Sequence, residues 1–298
     1  MNTPQVSVVI PTYGRGESLS RTLATLAKQD MRGFEVVVVD DGSPEAVTED
    51  IAPATDVFEL RIIRHENAGP AAARNLGAQQ ARGEILAFTD DDCLPRPDWL
   101  STLTREISSH PEALVGSLTF NGLPENNWST TSQLIIDLVY DHFNRDPANA
   151  YFLASNNLAC RRQFFLALGG FDTAFPRAGA EDRDFCDRWR MTKRPIRLIC
   201  EPLVEHRHAQ TFAKFLNLHY RYGRGAYLYQ IKRKERASGT MAEDLGFHRS
   251  LMFSVPRHLR GQHFIPGCTF LLGLFLWQAA NVFGFLAGLC NRQKRSDR

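Results

Sequence analysis

Three consecutive carboxylates, Asp90, Asp91 and Asp92, follow an apolar run in the stretch AFTDDDCLPRPDWL, residues 87–100. Adjacent carboxylates repel one another, which destabilises the chain unless a positive charge lies beside them. One interpretation is a solvated acidic turn. The other is a site for a divalent cation such as Mg²⁺ or Mn²⁺, which takes oxygen ligands from one or two carboxylates and from substrate phosphates. In the D-x-D spacing, one of Asp90 and Asp92 could face a metal and the other a ribose or a metal-bound water.

The elements that must position these carboxylates show in the first hundred residues as alternating strand and helix patterns. Apolar runs predict strands at 6–10, 36–39, 60–63 and 84–88. Leu19, Leu23 and Leu26 have the spacing of an amphipathic helix, and Pro70 begins a second helix that runs to about residue 80. This alternation predicts an α/β fold with a doubly wound, mostly parallel sheet.

Polar residues follow three of the predicted strands directly. They are Pro11, Thr12 and Tyr13, then Asp40 and Asp41, and then the three aspartates at 90–92. In open α/β sheets ligands bind outside the carboxyl ends of the strands, where the strand order changes. The carboxylates are therefore expected to belong to a site built by several strands.

The chain after residue 112 is less regular and resembles a mixed α+β half. Helices are predicted at 131–145, 161–168 and 181–193, and short strands at 113–120 and 195–200. Residues 211–236 predict an aromatic-rich basic helix, and 237–246 a polar linker.

Composition limits the class of protein. The 298 residues allow one large domain or two small ones, and 35 basic against 33 acidic residues give no sign of a nucleic-acid partner. The six cysteines form no C-x-x-C pair, which is typical of reduced cytoplasmic thiols. The N-terminal residues lack the pattern of a cleaved signal peptide.

The C-terminal segment is different, because residues 264–291 contain no charged side chain. As a helix, the run CTFLLGLFLWQAANVFGFLAGLC would be roughly 35 Å long, enough to cross a bilayer. Gln278 and Asn281 weaken that interpretation, and an in-plane helix or a buried core helix remain open. Basic residues flank both sides, including the tail 292–298, and slightly favour both ends in the cytoplasm.

Six sequence blocks resemble family 2 glycosyltransferases in their order and approximate spacing. The blocks are VSVVIPTYGR, VVVVDDGS, NAGPAAARNLG, GEILAFTDDDC, NNLACRRQFFLALGGFD and AEDRDFCDRW. The resemblance covers about residues 5–210 and implies the GT-A fold and sugar transfer from a nucleotide diphosphate donor, with inversion at the anomeric carbon. It implies a catalytic domain at 1–210, with a nucleotide-binding half at 1–112 and an acceptor half at 113–210. A basic helical extension at 211–263 and the apolar membrane-associated helix at 264–291 then follow.

The resemblance also assigns donor-binding roles to the matching residues. Pro11, Thr12 and Tyr13 would line the base pocket, Asp40 or Asp41 would hydrogen-bond the base with Asp40 preferred, and Asn67, Gly69, Arg74 and Asn75 would read the nucleoside. Asp90 would face the ribose, Asp91 belongs to the same acidic run, and Asn156 and Asn157 would line the donor sugar. The structural alternatives are a surface arginine for Arg74 and a capped turn for Asp40 and Asp41.

The remaining assignments concern the metal and the acid–base chemistry. The resemblance makes Asp92 the metal ligand, with Asp90 and His206 as further candidates, although His206 could instead be a partly buried structural histidine. Asp182 matches the base that deprotonates the acceptor hydroxyl, and Glu181 would orient it. The alternative for both is a helix N-terminus that favours carboxylates.

A last basic segment, HYRYGRGA at 219–226, has two interpretations. Arg221 and Arg224, with Gly223 and Gly225, could form a flexible segment that closes over the diphosphate. The same residues could be a basic amphipathic face against lipid.

These observations predict a metal-dependent inverting glycosyltransferase at the cytoplasmic face of the cell membrane. The resemblance favours UDP as the carrier, with a carbohydrate or lipid-linked acceptor in cell-surface polysaccharide or glycolipid assembly. A sugar-nucleotide pyrophosphorylase would need a glycine-rich phosphate loop after the first strand and would leave Asp182 unexplained. A non-catalytic binding protein would have lost the D-x-D motif or the base, and both are present.

Overall fold

The computed structural model describes residues 3–175, 179–242, 246–248, 251 and 267–296. Within them the strands are β1 (Val6–Thr12), β2 (Phe34–Asp40), β3 (Phe58–Arg64), β4 (Ile85–Thr89), β5 (Cys93–Pro95), β6 (Leu114–Asn121), β7 (Asn157–Arg161) and β8 (Ile196–His206). The longer helices are α1 (Gly16–Leu26), α2 (Pro70–Gln80), α3 (Trp99–Ser109), α4 (Asn127–Phe143), α5 (Arg162–Ala167), α6 (Glu181–Met191), α7 (Phe212–Arg236) and α8 (Gly267–Ser296). Two 3₁₀ turns lie at Glu49–Ile51 and Pro147–Asn149.

All eight strands form one mixed sheet in the order β3-β2-β1-β4-β7-β6-β8-β5. β1 to β4 pair in parallel, and so do β6 and β8, whereas β4–β7, β6–β7 and β5–β8 are antiparallel. Every residue of β1 and of β2 is buried, which explains why each reads as a continuous apolar run. The predicted α/β architecture with its doubly wound sheet is confirmed.

Two apolar cores lie on the two faces of the sheet. Val8 and Ile10 of β1 join one core, together with the buried leucines of α1 and residues of α3. Val9, which points the other way, joins a second core with residues of α2, α4, α5 and α6. Neighbouring side chains of one strand point to opposite faces of the sheet, so β1 packs against helices on both faces.

β1 is longer than the sequence predicts, because it continues through Pro11 to Thr12. Pro11 is in register with Val39 of β2, whereas the pairing of β1 with β4 ends at Val9. Past Val9 one side of β1 is therefore unpaired, and a proline without an N–H group is tolerated at such a place.

Three elements after β4 were not predicted from the sequence. They are the strand β5, the helix α3 and the antiparallel strand β7. In addition, β8 continues to residue 206, whereas the predicted strand ended at 200. The extension of β8 matters for the site, because it brings His206 into register with Cys93, next to the acidic run.

The helix predicted at 211–236 is α7, and α8 packs against α4 and α7. A Cβ atom on Gly223 would lie 2.1 Å from the backbone oxygen of Asn281, and one on Gly225 would lie 2.0 Å from that of Gly179. The interpretation of 219–226 as a flexible segment is therefore wrong, because both glycines lie inside α7 and allow neighbouring backbones to approach. Part of the predicted linker, residues 243–245, lies outside the described residues.

Candidate active site

A cavity of about 1410 Å³ lies at the carboxyl ends of β1, β2 and β4. It brings together most of the residues that the sequence analysis selected. Those lining it are Pro11, Thr12, Tyr13, Asp41, Asn67, Gly69, Arg74, Asp90, Asp92, Asn156, Glu181, Asp182, His206, His208, Arg221 and Gly223. Asp40 and Asp91 are not among the described residues that line it.

Asp40 and Asp41 are neighbours with different surroundings. The carboxylate of Asp40 is fully buried and accepts hydrogen bonds from the backbone of Ser43 at 2.8 Å and from Arg64 at 3.2 Å. Burial would raise the pKa of Asp40, but these hydrogen bonds lower it below its ordinary value. Asp41 accepts from the backbone N–H groups of Ala68 and Gly69, both at 2.9 Å, and lines the cavity. The geometry thus favours Asp41 over Asp40 as the residue that can reach a ligand.

Arg15 provides the positive charge that the acidic run requires. Its guanidinium contacts Asp91 at 2.6 Å and Asp92 at 2.8 Å, and Thr12 donates a further hydrogen bond to Asp91 at 2.7 Å. Burial raises the pKa of Asp91 to about 7, against the lowering effect of Arg15. Asp91 is thus a structural carboxylate behind the site. Arg15 was not among the predicted site residues, although this residue ends the first of the six blocks.

Asp92 and His206 form the part of the site that suits a metal ion. The carboxylate of Asp92 lies 3.5 Å from Nε2 of His206, and both side chains line the cavity. Their ligand atoms and Sγ of Cys93 lie within 4.8 Å of one another. Burial opposes ionisation of Asp92, but the hydrogen bond with His206 holds the pKa of Asp92 below, and that of His206 above, its usual value. The carboxylate suits Mn²⁺ or Mg²⁺, the added imidazole favours Mn²⁺ over the harder Mg²⁺, and the buried thiol is too soft a ligand for either.

Asp90 belongs to a different cluster, in which it contacts buried Arg74 at 2.5 Å. Arg74 also lies 3.5 Å from Glu181, the first residue of α6. Burial would lower the pKa of Arg74, but the charges of Asp90 and Glu181 raise it. Nε of Arg74 is buried and has no hydrogen-bond partner among the described residues. The interpretation of Arg74 as a surface arginine is therefore wrong, because this buried side chain lies between Asp90 of the acidic run and Glu181 of α6.

Asp182 lies beside Glu181 at the start of α6 and lines the cavity. Its Oδ1 atom accepts a hydrogen bond from the backbone of Arg183 at 2.8 Å. Burial, and next the negative charge of Glu181, raise the pKa of Asp182 to about 7. Glu181 itself is fixed by the backbone N–H of Gly179 at 2.7 Å. A carboxylate with such a pKa can accept a proton near neutral pH.

The two asparagines before β7 have separate roles. Asn157 is buried, accepts a hydrogen bond from Trp99 at 2.9 Å and donates one to Ser117 at 2.7 Å, so it is structural. Asn156 lines the cavity, and its Oδ1 atom is buried without a hydrogen-bond partner in the part of the chain that the structure describes. The polar group of Asn156 is therefore the one available to a ligand.

The cavity continues from the acidic residues into an apolar end that the sequence analysis did not predict. This end lies between α4, α7 and α8. Its lining includes Ile135, Ile136, Val139, Leu218, Trp277, Val282, Phe285 and Leu286. The only available signal was the apolar character of the segments concerned, which does not tell which helices meet.

Residues 7–169 match the family model described as Glycosyl transferase family 2, and the chain belongs to that family. Among curated relatives, the pre-mycofactocin glycosyltransferase of Mycobacterium tuberculosis is 31% identical over 210 residues, which cover 68% of this chain and 43% of that protein. The glycosyltransferase AglE of Haloferax volcanii is 39% identical over 118 residues, which cover 38% of each chain. The chain thus spans less than half the length of these relatives.

Solved structures show the same fold at low sequence identity. The mannosyltransferase PcManGT from Pyrobaculum calidifontis, in complex with GDP-Man and Mn²⁺, gives a TM-score of 0.61 at 22% identity and covers 100% of this chain and 82% of its own. Residues 1–349 of Staphylococcus aureus TarS, in complex with UDP-GlcNAc, give a TM-score of 0.60 at 18% identity. This match covers 97% of the present chain and 92% of the TarS chain. The expected GT-A fold is thereby confirmed.

Proposed function

We propose that this chain transfers a sugar from a nucleotide diphosphate donor to an acceptor hydroxyl, with inversion at the anomeric carbon. The observation that carries the proposal is the shared cavity. Asp182, with a pKa of about 7, lies in the same cavity as Asp41, Arg74 and Asp92, which can hold a nucleotide and a metal. Family membership supports the reaction class, and the two structural neighbours are complexes with nucleotide sugars, UDP-GlcNAc and GDP-Man.

The donor would occupy the carboxyl ends of β1, β2 and β4. Tyr13 is half exposed at the cavity wall and offers a ring for stacking against the base, and Asp41 offers a carboxylate for its edge. Asp90 would accept hydrogen bonds from the ribose. The unpaired Nε of Arg74 and Oδ1 of Asn156 are buried groups that a bound nucleotide sugar would satisfy.

A divalent cation would be held by Asp92 and His206, and UDP is the expected carrier. When bound, the cation would supply positive charge to a leaving diphosphate. Asp90, the other candidate ligand, is engaged by Arg74. We therefore expect Asp90 to face the ribose. Arg221, whose buried Nε has no hydrogen-bond partner among the described residues, offers a second positive charge to the cavity.

Asp182 would act as the base in a single displacement. Its carboxylate takes the proton of the acceptor hydroxyl as the acceptor oxygen bonds to the anomeric carbon and the bond from that carbon to the diphosphate oxygen breaks. Inversion follows because the acceptor attacks from the face opposite the leaving group. Glu181 is the positioning residue, since its charge raises the pKa of Asp182 and its contact with Arg74 connects the base to the donor side.

Membrane association is the remaining part of the proposal. In the described residues, Phe270–Cys290 of α8 is the helical segment that is long and apolar enough to cross a membrane. One face of α8 packs on the protein through Phe270 and Trp277, whereas Leu271, Phe275 and Phe283 are exposed, Phe275 by 68%. We infer that α8 lies in the plane of a membrane surface, at the cytoplasmic face, which fits a role in surface polysaccharide or glycolipid assembly.

The test is donor binding, followed by analysis of the product. Calorimetry with UDP, GDP and dTDP, each with Mn²⁺, Mg²⁺ or a chelator, should show metal-dependent binding, with UDP the tightest. Asp92→Ala should abolish the metal dependence, and Asp182→Asn should leave binding intact while stopping transfer. The anomeric configuration of the product, read by NMR, should be opposite to that of the donor. Retention of configuration, or no binding of any nucleotide with any metal, would contradict the proposal.

A further inference from the structure

The cavity as a whole is larger than a pocket for a single small ligand. Pockets for one small ligand measure about 300–1,000 Å³, whereas this cavity measures about 1410 Å³. The donor-binding and acid–base residues occupy the sheet end of it. Tyr140, Phe143 and Phe152 continue the lining from that end to α4, α7 and α8. The space beyond the base is therefore continuous with the reaction centre, and its lining is mostly apolar.

The apolar end is lined by side chains that are packed and buried in the protein. Trp277 is buried against Phe215 and Phe247 in one apolar cluster, and His219 of α7 lies 6.4 Å from the Trp277 ring. His219 is 2% exposed and lines the cavity, and its ring nitrogens have no hydrogen-bond partner among the described residues. Burial, and next the charge of His208, lower the pKa of His219 to about 3, so this imidazole is neutral. His219 thus adds no charge to the apolar end.

The rim of the apolar end meets the exposed face of α8. Val282 and Leu286 line the cavity and are also 55% and 49% exposed. Leu271, Phe275 and Phe283 continue this exposed apolar face, and they do not line the cavity. An apolar chain could therefore pass from a membrane surface to the cavity along the apolar side chains of α8, with Gln278 and Asn281 as the polar neighbours in the lining.

We propose that the acceptor is a membrane lipid whose hydroxyl-bearing head lies at Asp182 and whose apolar chain lies between α4, α7 and α8. This inference rests on the proposed function and gives its acceptor a chemical class. A wholly polar saccharide acceptor would leave the side chains of Ile136, Val139 and Phe285 facing water. An apolar chain would remove that surface from water, which is favourable by roughly 25 cal/mol per Å².

The first experiment measures chain-length dependence with two probes that share a head group. Methyl β-D-glucoside and octyl β-D-glucoside, the latter below its critical micelle concentration, are titrated into the full chain by calorimetry. The octyl compound should bind at least about a hundredfold more tightly, because seven methylene groups leave water. Equal affinity for the two probes would overturn the proposal.

Two variants test where the apolar chain of the acceptor lies in the protein. Val139→Trp fills the apolar end from α4 and should weaken octyl glucoside binding at least tenfold. Phe275→Ser alters the outer face of α8, which does not line the cavity, and should leave octyl glucoside binding unchanged while weakening adsorption to phospholipid vesicles. Binding of UDP with Mn²⁺ reports that each variant is folded. The reverse pattern, in which Phe275→Ser alone weakens octyl glucoside binding, would overturn the proposal.

A crosslinking experiment needs no variant and tests the membrane as the source of the chain. Vesicles containing a phospholipid with a diazirine on its acyl chain are irradiated with the protein, and labelled peptides are identified by mass spectrometry. Label on the cavity-lining residues of α4 and α7 supports the proposal, whereas label confined to the outer face of α8 refutes it.

A protein that binds octyl glucoside but no nucleotide would show that the proposed function fails and the apolar site stands.

Discussion

Replacing Asp182 by asparagine tests the proposed base with little change in shape. The asparagine Oδ1 atom can still accept the hydrogen bond that Asp182 receives from the backbone of Arg183 at 2.8 Å. It cannot take a proton, so transfer should fall by about 10²–10⁴-fold, the usual contribution of a positioned base. Binding of UDP with Mn²⁺ should stay within a factor of about two, because the change removes no donor contact.

The pH dependence of the wild-type enzyme follows from the same group. With a pKa of about 7, raised by burial and by Glu181, Asp182 is about half ionised at pH 7. Its ionised fraction is about one tenth at pH 6 and about nine tenths at pH 8. Since only the ionised form accepts a proton, kcat/KM should rise about tenfold from pH 6 to pH 8 and then level off.

Glu181→Gln tests whether ionisation of Asp182 causes the pH dependence of kcat/KM. Removing its negative charge should lower the pKa of Asp182 and move the acidic limb of the kcat/KM profile to lower pH. The assay follows release of the nucleoside diphosphate with the acceptor that supports wild-type turnover. A transfer rate for Asp182→Asn within tenfold of wild type would refute the assignment, as would an unmoved acidic limb in Glu181→Gln.

Three further outcomes are expected. Asp92→Asn should weaken the apparent affinity for Mn²⁺ in nucleotide binding at least tenfold by calorimetry, whereas Asp56→Asn, at a carboxylate 88% exposed, should not change it. Gly284→Ala should lower the free energy of unfolding by about 1–3 kcal/mol in urea, since its Cβ would lie 2.0 Å from a backbone oxygen of α7. Gly246→Ala is the control, because no atom of the described residues lies within 4 Å of the added Cβ. Asn157→Ala should cost about 1–3 kcal/mol in the same assay, because it leaves buried polar groups unpaired.

The position of the candidate site at the sheet edge was predictable, because that part of the cavity is built from strand ends. Thr12 and Asp90 each lie at the end of a buried strand or directly after it, and parallel strands bring such residues to one edge. The choice between Asp40 and Asp41 was not predictable in the same way. Both follow the same apolar run, and only the folded turn shows that Asp40 is held by Ser43 and its neighbours while Asp41 lines the cavity.

Other features depend on contacts between distant parts of the chain. Arg15 balances Asp91, which lies 76 residues further along, and no local pattern pairs the two. The position of His206 depends on how far β8 extends, and the short β5 that fixes its register has only three residues. The apolar end of the cavity arises where α4, α7 and α8 pack together, and segment hydrophobicity does not tell which helices meet.

The packing of α8 against α7 favours one of the two membrane arrangements proposed from its sequence, the in-plane helix over the membrane span. Gly223 meets the backbone of Asn281, and Gly284 meets that of Tyr220, so the two helices touch along their backbones. If α8 crossed a bilayer while so packed, α7 and the cavity wall at Arg221 would enter the hydrocarbon with it. A charged side chain at that depth costs at least about 2.5 kcal/mol, and the cavity would lose its access to a water-soluble nucleotide sugar. An in-plane α8 avoids both consequences, because one face stays on the protein and the other contacts lipid. In that arrangement the same helix would form both a wall of the cavity and the membrane contact, so the proposed lipid acceptor would reach Asp182 along a single element.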